Sequence, residues 1–354
     1  MSRVIVPQDR LLAPSLDPVA AKLVAAGHEV WRPPQSLAPA TWADELARAD
    51  VVVLTPRTRF GTAEIEAAAC LKGIVFPTIG VEALDFAAAD AAGLAVGNGA
   101  TNEAIESMAE ANVMLMAALL LDLPGKSRAL SRTGWRDGTV RARMMRGRTI
   151  GFIGFGRIAR ATLVRLANWN VRAIFFDPYV GRDAASHDGA IPAADLAALL
   201  RVSDIVNILV DLTAETHGMI GAAELAMMRR DAYLVNTARG AVVDEVALAT
   251  ALREGAIAGA ALDAFAAEPL APDSALRRLD NVILTPHNIG HTRELMESFV
   301  PATYENVVRI AAGEPPLYFK NPQVLRSGGS GWRGSAPIDR DEISALSFRG
   351  TAQR

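Results

Sequence analysis

The sequence predicts an α/β protein with two doubly wound parallel sheets. Short β-branched runs alternate with Ala- and Leu-rich amphipathic stretches along most of the chain, which is the pattern of consecutive strand–helix–strand units. The 354 residues exceed the usual size of one hydrophobic core. We therefore expect about two domains of roughly 150 residues each.

The first domain is predicted from four short apolar runs. These strands lie near residues 4–6, 51–54, 73–76 and 94–96, with helical stretches near 16–26, 62–71 and 84–92. A long helix from about 102 to 121 then ends at the break Leu123-Pro124-Gly125. This break marks the expected crossing into the second domain.

A second set of strands follows the break. It is predicted near 149–153, 171–176, 205–210, 232–236, 257–262 and 282–285, and a helix near 292–312 returns the chain to the first domain. We assign residues 1–122 and 300–325 to one domain and 123–299 to the other. Residues 326–354 are rich in Ser and Gly at their start and are predicted to form a flexible tail.

Charge and cysteine content favour small-molecule partners. The net charge is -3, and no block of like charges suggests a nucleic-acid arm or a membrane-surface patch. Cys70 is the only cysteine, so an internal disulfide and a multi-thiolate metal site are excluded, and we expect Cys70 to pack as a small apolar residue. With no apolar run long enough for a bilayer span, a cytoplasmic location is expected.

A glycine-rich turn follows the predicted strand at 149–153. Gly154, Gly156 and Ala159 have the spacing G-x-G-x-x-A between that strand and a predicted helix. Gly154 permits a tight turn, Gly156 leaves the backbone open to a diphosphate, and Ala159 allows close packing of helix and strand. The turn predicts a dinucleotide site at a helix N-terminus. Its predicted diphosphate-binding residues are Gly154, Phe155, Gly156, Arg157 and Ile158.

Asp177 ends the next predicted strand, 21 residues after Gly156. A carboxylate at this position accepts hydrogen bonds from both ribose hydroxyls of a dinucleotide and repels a 2′-phosphate. The pattern therefore predicts NAD rather than NADP as cofactor. The alternative is a structural glycine turn followed by a capping aspartate.

Three later strands are each followed by an unusual polar residue. Arg239 follows the strand near 232–236, Glu268 follows the one near 257–262, and His287 follows the one near 282–285. Carboxyl ends of parallel strands line the ligand crevice of a wound sheet. A guanidinium can polarise a carbonyl and pair with a carboxylate, and a carboxylate-backed imidazole can exchange a proton near neutrality. These residues predict hydride transfer to a small 2-oxo acid. Singly, each could be a loop or surface residue.

Four motifs in this order resemble the D-isomer-specific 2-hydroxyacid dehydrogenases, including phosphoglycerate dehydrogenases. They are Gly151–Ala159, Asn236–Asp244, Leu262–Pro269 and Thr285-Pro286-His287, and the resemblance extends over residues 4–322. It implies a Rossmann cofactor domain, a flavodoxin-like substrate domain and homodimers that associate through the cofactor domain.

The resemblance also implies roles for individual residues. Arg239, Glu268 and His287 match the catalytic residues, and Asp263 matches the residue that holds the nicotinamide carboxamide. Further cofactor contacts are implied for Thr213, Thr237 and Ala238. Substrate contacts are implied for Ile79, Gly80, Asn98, Arg239 and His287.

Some positions depart from the family pattern. Asp211 stands where a proline is usual, Asn288 replaces an apolar residue, and Pro77 and Thr78 alter the loop that binds the substrate carboxylate. After the strand near 51–54, Arg57 or Arg59 in Thr55-Pro56-Arg57-Thr58-Arg59 presents a cation that could recognise a second anionic group of the substrate. A solvated surface arginine is the alternative.

Two other functions are compatible with the motifs. An NAD-sensing scaffold like the C-terminal-binding-protein corepressors would have a peptide-binding surface and little turnover. A formate dehydrogenase would be expected to pair its histidine with glutamine, so Glu268 argues against it. No metal site is predicted, because Pro286 and Gly290 disfavour a regular helix that would bring His287 and His291 together.

Overall fold

The computed structural model describes residues 1–34, 37–133, 135, 141–180 and 189–325. The strands are β1 (Arg3–Ile5), β2 (Glu29–Trp31), β3 (Val51–Val53), β4 (Gly73–Val75), β5 (Ala95–Gly97), β6 (Thr149–Ile153), β7 (Arg172–Phe176), β8 (Ala190–Pro192), β9 (Ile205–Ile208), β10 (Tyr233–Asn236), β11 (Gly259–Leu262) and β12 (Val282–Leu284). The helices are α1 (Ala13–Ala25), α2 (Ala43–Leu46), α3 (Thr62–Ala67), α4 (Phe86–Ala91), α5 (Asn102–Leu120), α6 (Leu123–Thr133), α7 (Arg157–Arg165), α8 (Leu196–Val202), α9 (Ala222–Met227), α10 (Glu245–Arg253) and α11 (Arg293–Ala311).

The described chain divides into two compact units. One unit is Met1–Ala104 with the residues from Thr292 onward, and the other is Ile105–His291. Each contains one parallel sheet, ordered β2-β1-β3-β4-β5 in the first unit and β12-β11-β10-β9-β6-β7-β8 in the second. The predicted α/β class with two doubly wound sheets is confirmed.

The first sheet is buried on both faces. Val52 and Ile74 pack on one side with Trp42 and Phe60, while Val51 packs on the other side among residues of α1 and α11. A parallel strand covered on both faces is apolar throughout, which explains the continuous run Val51–Val53. Burying one such side chain contributes about 1.5–3 kcal/mol to folding.

The second sheet has the same construction. Phe152 of β6 packs with Leu115 and Leu119 of α5, whereas Ile153 faces the opposite layer with Leu199 of α8 and Leu248 of α10. The strands β7 and β9 flank β6, so the chain winds from β6 toward β8 and then from β9 toward β12. The point where the winding direction reverses is where doubly wound sheets bind ligands.

The compact units divide at different residues from those expected from the sequence. The expected crossings are 122/123 and 299/300, and the observed divisions are 104/105 and 291/292. The first difference arises because Leu115, Met116 and Leu119 of α5 pack into the core of the second unit. The predicted tail at 326–354 lies outside the described residues.

Three local expectations differ from the structure. The edge strands β2 and β8 were not expected, because β2 begins with exposed Glu29 and β8 ends with Pro192 after exposed Ile191, so neither forms a clear apolar run. Cys70, expected to be packed, is exposed at the end of the segment that follows α3. A strand of three partly exposed residues has too little apolar periodicity to identify from sequence.

Within the described residues, no single helix combines the length and apolar composition needed to span a bilayer. Helices α5 and α6, which are bent by 60° at their junction, meet the criterion only as a pair.

Candidate active site

Three adjacent strands bring the predicted catalytic residues to one edge of the second sheet. Strands β10, β11 and β12 are paired in parallel and end at Asn236, Leu262 and Leu284. Arg239 and His287 lie three residues beyond the first and third of these ends. Because parallel strands end at the same edge, polar groups from sequence segments far apart meet there.

Glu268 and His287 form the closest charged contact of this edge. The His287 Nδ1 lies 2.9 Å from Oε1 and 2.8 Å from Oε2 of Glu268. The Phe265 N–H donates to Glu268 Oε1 at 3.0 Å, which fixes the carboxylate. His287 also has a left-handed backbone, with φ 52°. With Nδ1 bound to the carboxylate, Nε2 is the ring nitrogen left for a ligand.

The pair shifts the pKa of both partners. The Glu268 hydrogen bond raises the pKa of His287 above its ordinary 6.5, although burial and the Arg239 charge oppose this shift. Burial favours the neutral form of Glu268, but hydrogen bonds from His287 and Phe265 outweigh it and lower the pKa of Glu268. The imidazole is therefore poised to hold a proton near neutral pH.

Arg239 is held by the turn that follows β10. The Asn236 side chain donates to the Arg239 carbonyl at 3.0 Å and accepts from the Ala238 N–H at 3.0 Å. The residue after Arg239 must be a glycine, because a Cβ on Gly240 would lie 1.8 Å from the Phe265 carbonyl carbon. The turn thus packs against the segment that carries Glu268, and the Arg239 charge acts on both Glu268 and His287.

Asp263 fixes the loop that carries His287. Its Oδ1 accepts from the Thr285 hydroxyl at 2.7 Å and from the N–H groups of Asn288 at 3.0 Å and Ile289 at 3.2 Å. Burial raises the pKa of Asp263, and these three hydrogen bonds oppose the shift. Asn288, which departs from the family pattern, contributes its backbone N–H to this contact.

The glycine turn has the geometry of a diphosphate site. Gly154 has φ 86°, and a Cβ there would lie 2.7 Å from the Leu209 carbonyl oxygen. A Cβ on Gly156 would meet nothing within 4 Å, so this position faces open space. Among the described residues, the N–H groups of Gly156 and Ile158 at the start of α7 have no acceptor. Free N–H groups at a helix N-terminus fit an anionic diphosphate.

Asp177 lies beside this turn. Its Oδ2 accepts from the Phe155 N–H at 2.9 Å, and its Oδ1 accepts from the Tyr179 N–H at 3.0 Å. The Phe155 ring is buried and stacked on Phe175 with centroids 4.3 Å apart, and the Arg160 guanidinium lies over the Phe155 ring, 4.8 Å from its centroid. The carboxylate is therefore placed beside the turn, as a ribose-binding acid requires.

The remaining predicted cofactor residues differ in exposure. Thr213 is exposed in the loop after β9, where its N–H donates to the Thr216 hydroxyl at 2.8 Å. Thr237 is buried, and its hydroxyl donates to Asn112 Oδ1 at 3.0 Å. Ala238 is also buried. Asn112 was not predicted from the sequence. The signal that could have identified it is a polar amide next to the apolar C-terminal half of α5.

The predicted substrate-carboxylate loop lies in the first unit. The Asn98 side chain donates to the Ile79 carbonyl at 2.8 Å, and the Gly99 N–H donates to the Thr78 carbonyl at 2.9 Å. Within the described chain, the N–H groups of Ile79 and Gly80 have no acceptor. Two adjacent free N–H groups suit a carboxylate.

Arg57 has a partner that the sequence did not indicate. Its guanidinium forms an ion pair with Asp9, whose side chain is fully buried while that of Arg57 is 42% exposed. Asp9 Oδ1 also accepts from the N–H groups of Leu11 and Leu12 before α1. Arg57 is therefore held in place rather than freely solvated.

No group of three or more His, Cys, Asp or Glu side chains within the described ranges could hold a metal ion. His287 and His291 both lie in the loop between β12 and α11, outside any regular helix. Burial lowers the pKa of His291, in contrast with His287. The two histidines thus have different environments.

Gly156→Ala tests the diphosphate site. The backbone of Gly156 (φ -80°) is open to alanine, and the added methyl group meets no protein atom. We expect a free energy of unfolding within about 0.5 kcal/mol of the wild type and NADH affinity reduced at least ~10-fold because the methyl group occupies the space of the diphosphate. Gly221→Ala is the matched control, since Gly221 precedes α9 with a similar backbone conformation. Unchanged NADH affinity in Gly156→Ala, measured by fluorescence titration, would contradict the assignment.

Glu268→Gln tests the charged pair. Loss of the carboxylate charge removes the main cause of the raised pKa, so we expect the His287 pKa to fall toward or below 6.5. The imidazole C–H signals followed by NMR across pH report this value. The control Glu254→Gln, at the C-terminal end of α10, should leave the His287 pKa unchanged. A His287 pKa that is the same in Glu268→Gln as in the wild type would be incompatible with the described geometry.

Comparisons with known proteins identify the family of this chain. Residues 113–288 match the family described as D-isomer specific 2-hydroxyacid dehydrogenase, NAD binding domain. A glyoxylate reductase of Thermofilum pendens is 36% identical over 267 residues, which are 74% of this chain and 78% of that protein. A D-3-phosphoglycerate dehydrogenase of Archaeoglobus fulgidus is 34% identical over 77% of this chain. This chain spans only 51% of the latter protein, about half its length.

A solved structure extends the likeness to the whole fold. The NAD-dependent formate dehydrogenase from Staphylococcus aureus, in complex with NAD, has a TM-score of 0.75 and 26% identity and covers 88% of this chain and 96% of its own. These relatives support the predicted NAD cofactor and oxidoreductase class, and none supports the corepressor alternative. The chain belongs to the D-isomer specific 2-hydroxyacid dehydrogenase family, with the family's NAD-binding domain at residues 113–288.

Proposed function

We propose that this protein reduces a small 2-oxo acid to the D-2-hydroxy acid with NADH, and catalyses the reverse reaction with NAD. The contact of Glu268 with His287 at 2.8 Å, within the field of Arg239, carries this proposal. It lies on the same sheet as the glycine turn of the dinucleotide site. The D configuration of the product is taken from the family.

The chemistry is divided between the cofactor and three side chains. NADH, when bound, supplies the hydride for the carbonyl carbon. His287 donates the proton from Nε2 to the carbonyl oxygen, and Glu268 keeps the ring oriented and favours its charged form. The Arg239 guanidinium stabilises the negative charge that develops on this oxygen and pairs with the substrate carboxylate. In the reverse direction, neutral His287 accepts the hydroxyl proton.

The names of the relatives suggest the substrate class. Glyoxylate reductases and D-3-phosphoglycerate dehydrogenases are among them, so glyoxylate, hydroxypyruvate and phosphohydroxypyruvate are the first candidates. Ile79, Gly80 and Asn98 remain the proposed contacts for the substrate carboxylate. The free N–H groups of Ile79 and Gly80 support this role.

NADH oxidation with a panel of 2-oxo acids tests the proposed function. We expect turnover with at least one of glyoxylate, hydroxypyruvate, pyruvate, phenylpyruvate, 2-oxoglutarate and phosphohydroxypyruvate. Arg239→Ala should lower kcat/KM by about 10²–10³, and His287→Ala by about 10²–10⁴, with NADH binding retained. Arg253→Ala, on the exposed last turn of α10, is the control. Wild-type rates in Arg239→Ala or His287→Ala would refute the assignment.

Arg57 is proposed to recognise a second anionic group on the substrate. Its ion pair with buried Asp9 orients the guanidinium but leaves the side chain 42% exposed. In the same assay, replacing Arg57 and Arg59 by Ala should raise KM for phosphohydroxypyruvate and leave KM for glyoxylate near the wild-type value. Equal KM values for phosphohydroxypyruvate before and after the change would exclude this role.

We also propose a cytoplasmic homodimer that associates through the cofactor domain. The second unit exposes large apolar side chains on and beside α5 and α6: Met114, Leu121, Leu123, Leu130 and Trp135. Exposed apolar groups concentrated on one segment are typical of association surfaces. Cell fractionation tests the location.

Light scattering after size exclusion tests the association. We expect a dimer for the wild type and a shift toward monomer in Leu130→Asp, because the charge would be buried at the contact. Val246→Asp, at a side chain 78% exposed on α10, is the matched control and should remain dimeric. A wild-type monomer at micromolar concentration would contradict the proposal.

A further inference from the structure

One side-chain hydrogen bond spans the carboxyl end of β6. The Tyr179 hydroxyl donates to Glu215 Oε2 at 2.6 Å, and both residues are exposed. Tyr179 lies in the segment after β7, and Glu215 lies in the loop after β9. Since β7 and β9 are the two neighbours of β6, this bond crosses the end of the strand that carries Gly154 and Gly156.

Both ends of this bond are held by local contacts. The Tyr179 N–H donates to Asp177 Oδ1, which places the phenol next to the proposed ribose-binding carboxylate. On the other side, the Glu215 N–H donates to the Thr213 hydroxyl at 3.2 Å, and the Thr216 hydroxyl donates to the Asp211 carbonyl at 2.6 Å. The Glu215 carboxylate is therefore presented at a defined place.

Two carboxylates act on the same phenol. The hydrogen bond to Glu215 and its charge raise the pKa of Tyr179, and the charge of Asp177 adds to the shift. The phenol thus remains a hydrogen-bond donor throughout the neutral range. The carboxylates of Asp177 and Glu215 thus both lie near Tyr179.

A 2′-phosphate on the adenosine ribose would extend toward this charge. The ribose hydroxyls are the groups that Asp177 is proposed to bind, so a phosphate on the 2′-oxygen would lie next to Asp177 and near Tyr179, whose N–H donates to the same carboxylate. We propose that Glu215, held by Tyr179, is a second specificity determinant that excludes NADPH in favour of NADH. The inference rests on the proposed dinucleotide site. It assigns Glu215 a direct electrostatic role and makes Tyr179 a positioning residue.

The expected size of the effect follows from Coulomb's law. At 10 mM salt the Debye length is about 30 Å, so exposed charges ~10 Å apart interact with little screening, and removing Glu215 should change the ratio of dissociation constants for NADH and NADPH by about 2- to 5-fold. Salt screens this interaction, so the change should decrease strongly at 0.5 M ionic strength. A steric or folding effect would not show this salt dependence.

Equilibrium binding without substrate tests the proposal. Dissociation constants for NADH and NADPH are measured by fluorescence at 10 mM and 0.5 M NaCl for the wild type, Glu215→Gln, Tyr179→Phe and the control Glu254→Gln. We expect Glu215→Gln to shift the ratio toward NADPH at 10 mM NaCl only. Tyr179→Phe should cause a smaller shift of the same sign because it releases the carboxylate without removing it.

Two results would overturn the inference. An unchanged ratio in Glu215→Gln at 10 mM NaCl would exclude the role, and a shift that is equal at both salt concentrations would exclude its electrostatic basis. Thermal unfolding of each variant controls for folding. Failure of the wild type to bind NADH would instead reject the proposed function, so the two failures are distinguishable.

Discussion

The contact between Glu268 and His287 is the constraint on which the site depends. A histidine alone would exchange its proton near its ordinary pKa and rotate freely, whereas the carboxylate fixes Nδ1 and leaves Nε2 for the substrate. Neighbouring residues stabilise this contact. Phe265 fixes the carboxylate, and Asp263 holds the backbone that follows His287.

The parallel topology explains how three residues far apart in the sequence form one site. The strands β10, β11 and β12 end side by side, and the loops that follow them carry the arginine, the glutamate and the histidine. The strand β6 ends at the same edge and carries the glycine turn. Side chains at the strand ends brace these loops: Asn236 holds the loop of Arg239, and Asp263, after β11, holds the loop of His287 that follows β12. The sheet therefore brings the loops together, and contacts of the loops orient the functional side chains.

The wound sheets and the central site could be predicted because their signals are local. The glycine spacing at Gly154 and Gly156 and the apolar runs before Arg239 and His287 are visible within a few residues. The supporting contacts could not be predicted, since they join distant parts of the chain. Asn112 bonds to Thr237 across 125 positions, and Asp9 pairs with Arg57 across 48. Short edge strands such as β2 also have no sequence pattern that separates them from loops.

The pH dependence of kcat/KM for reduction tests the central claim most directly. Reduction requires protonated His287, and Glu268 raises the pKa of this residue, so activity should be retained below that pKa and lost as pH rises through it. We predict a falling limb centred above 6.5 in the wild type, displaced to lower pH in Glu268→Gln. A wild-type profile without a falling limb, or one centred below 6.5, would contradict the account.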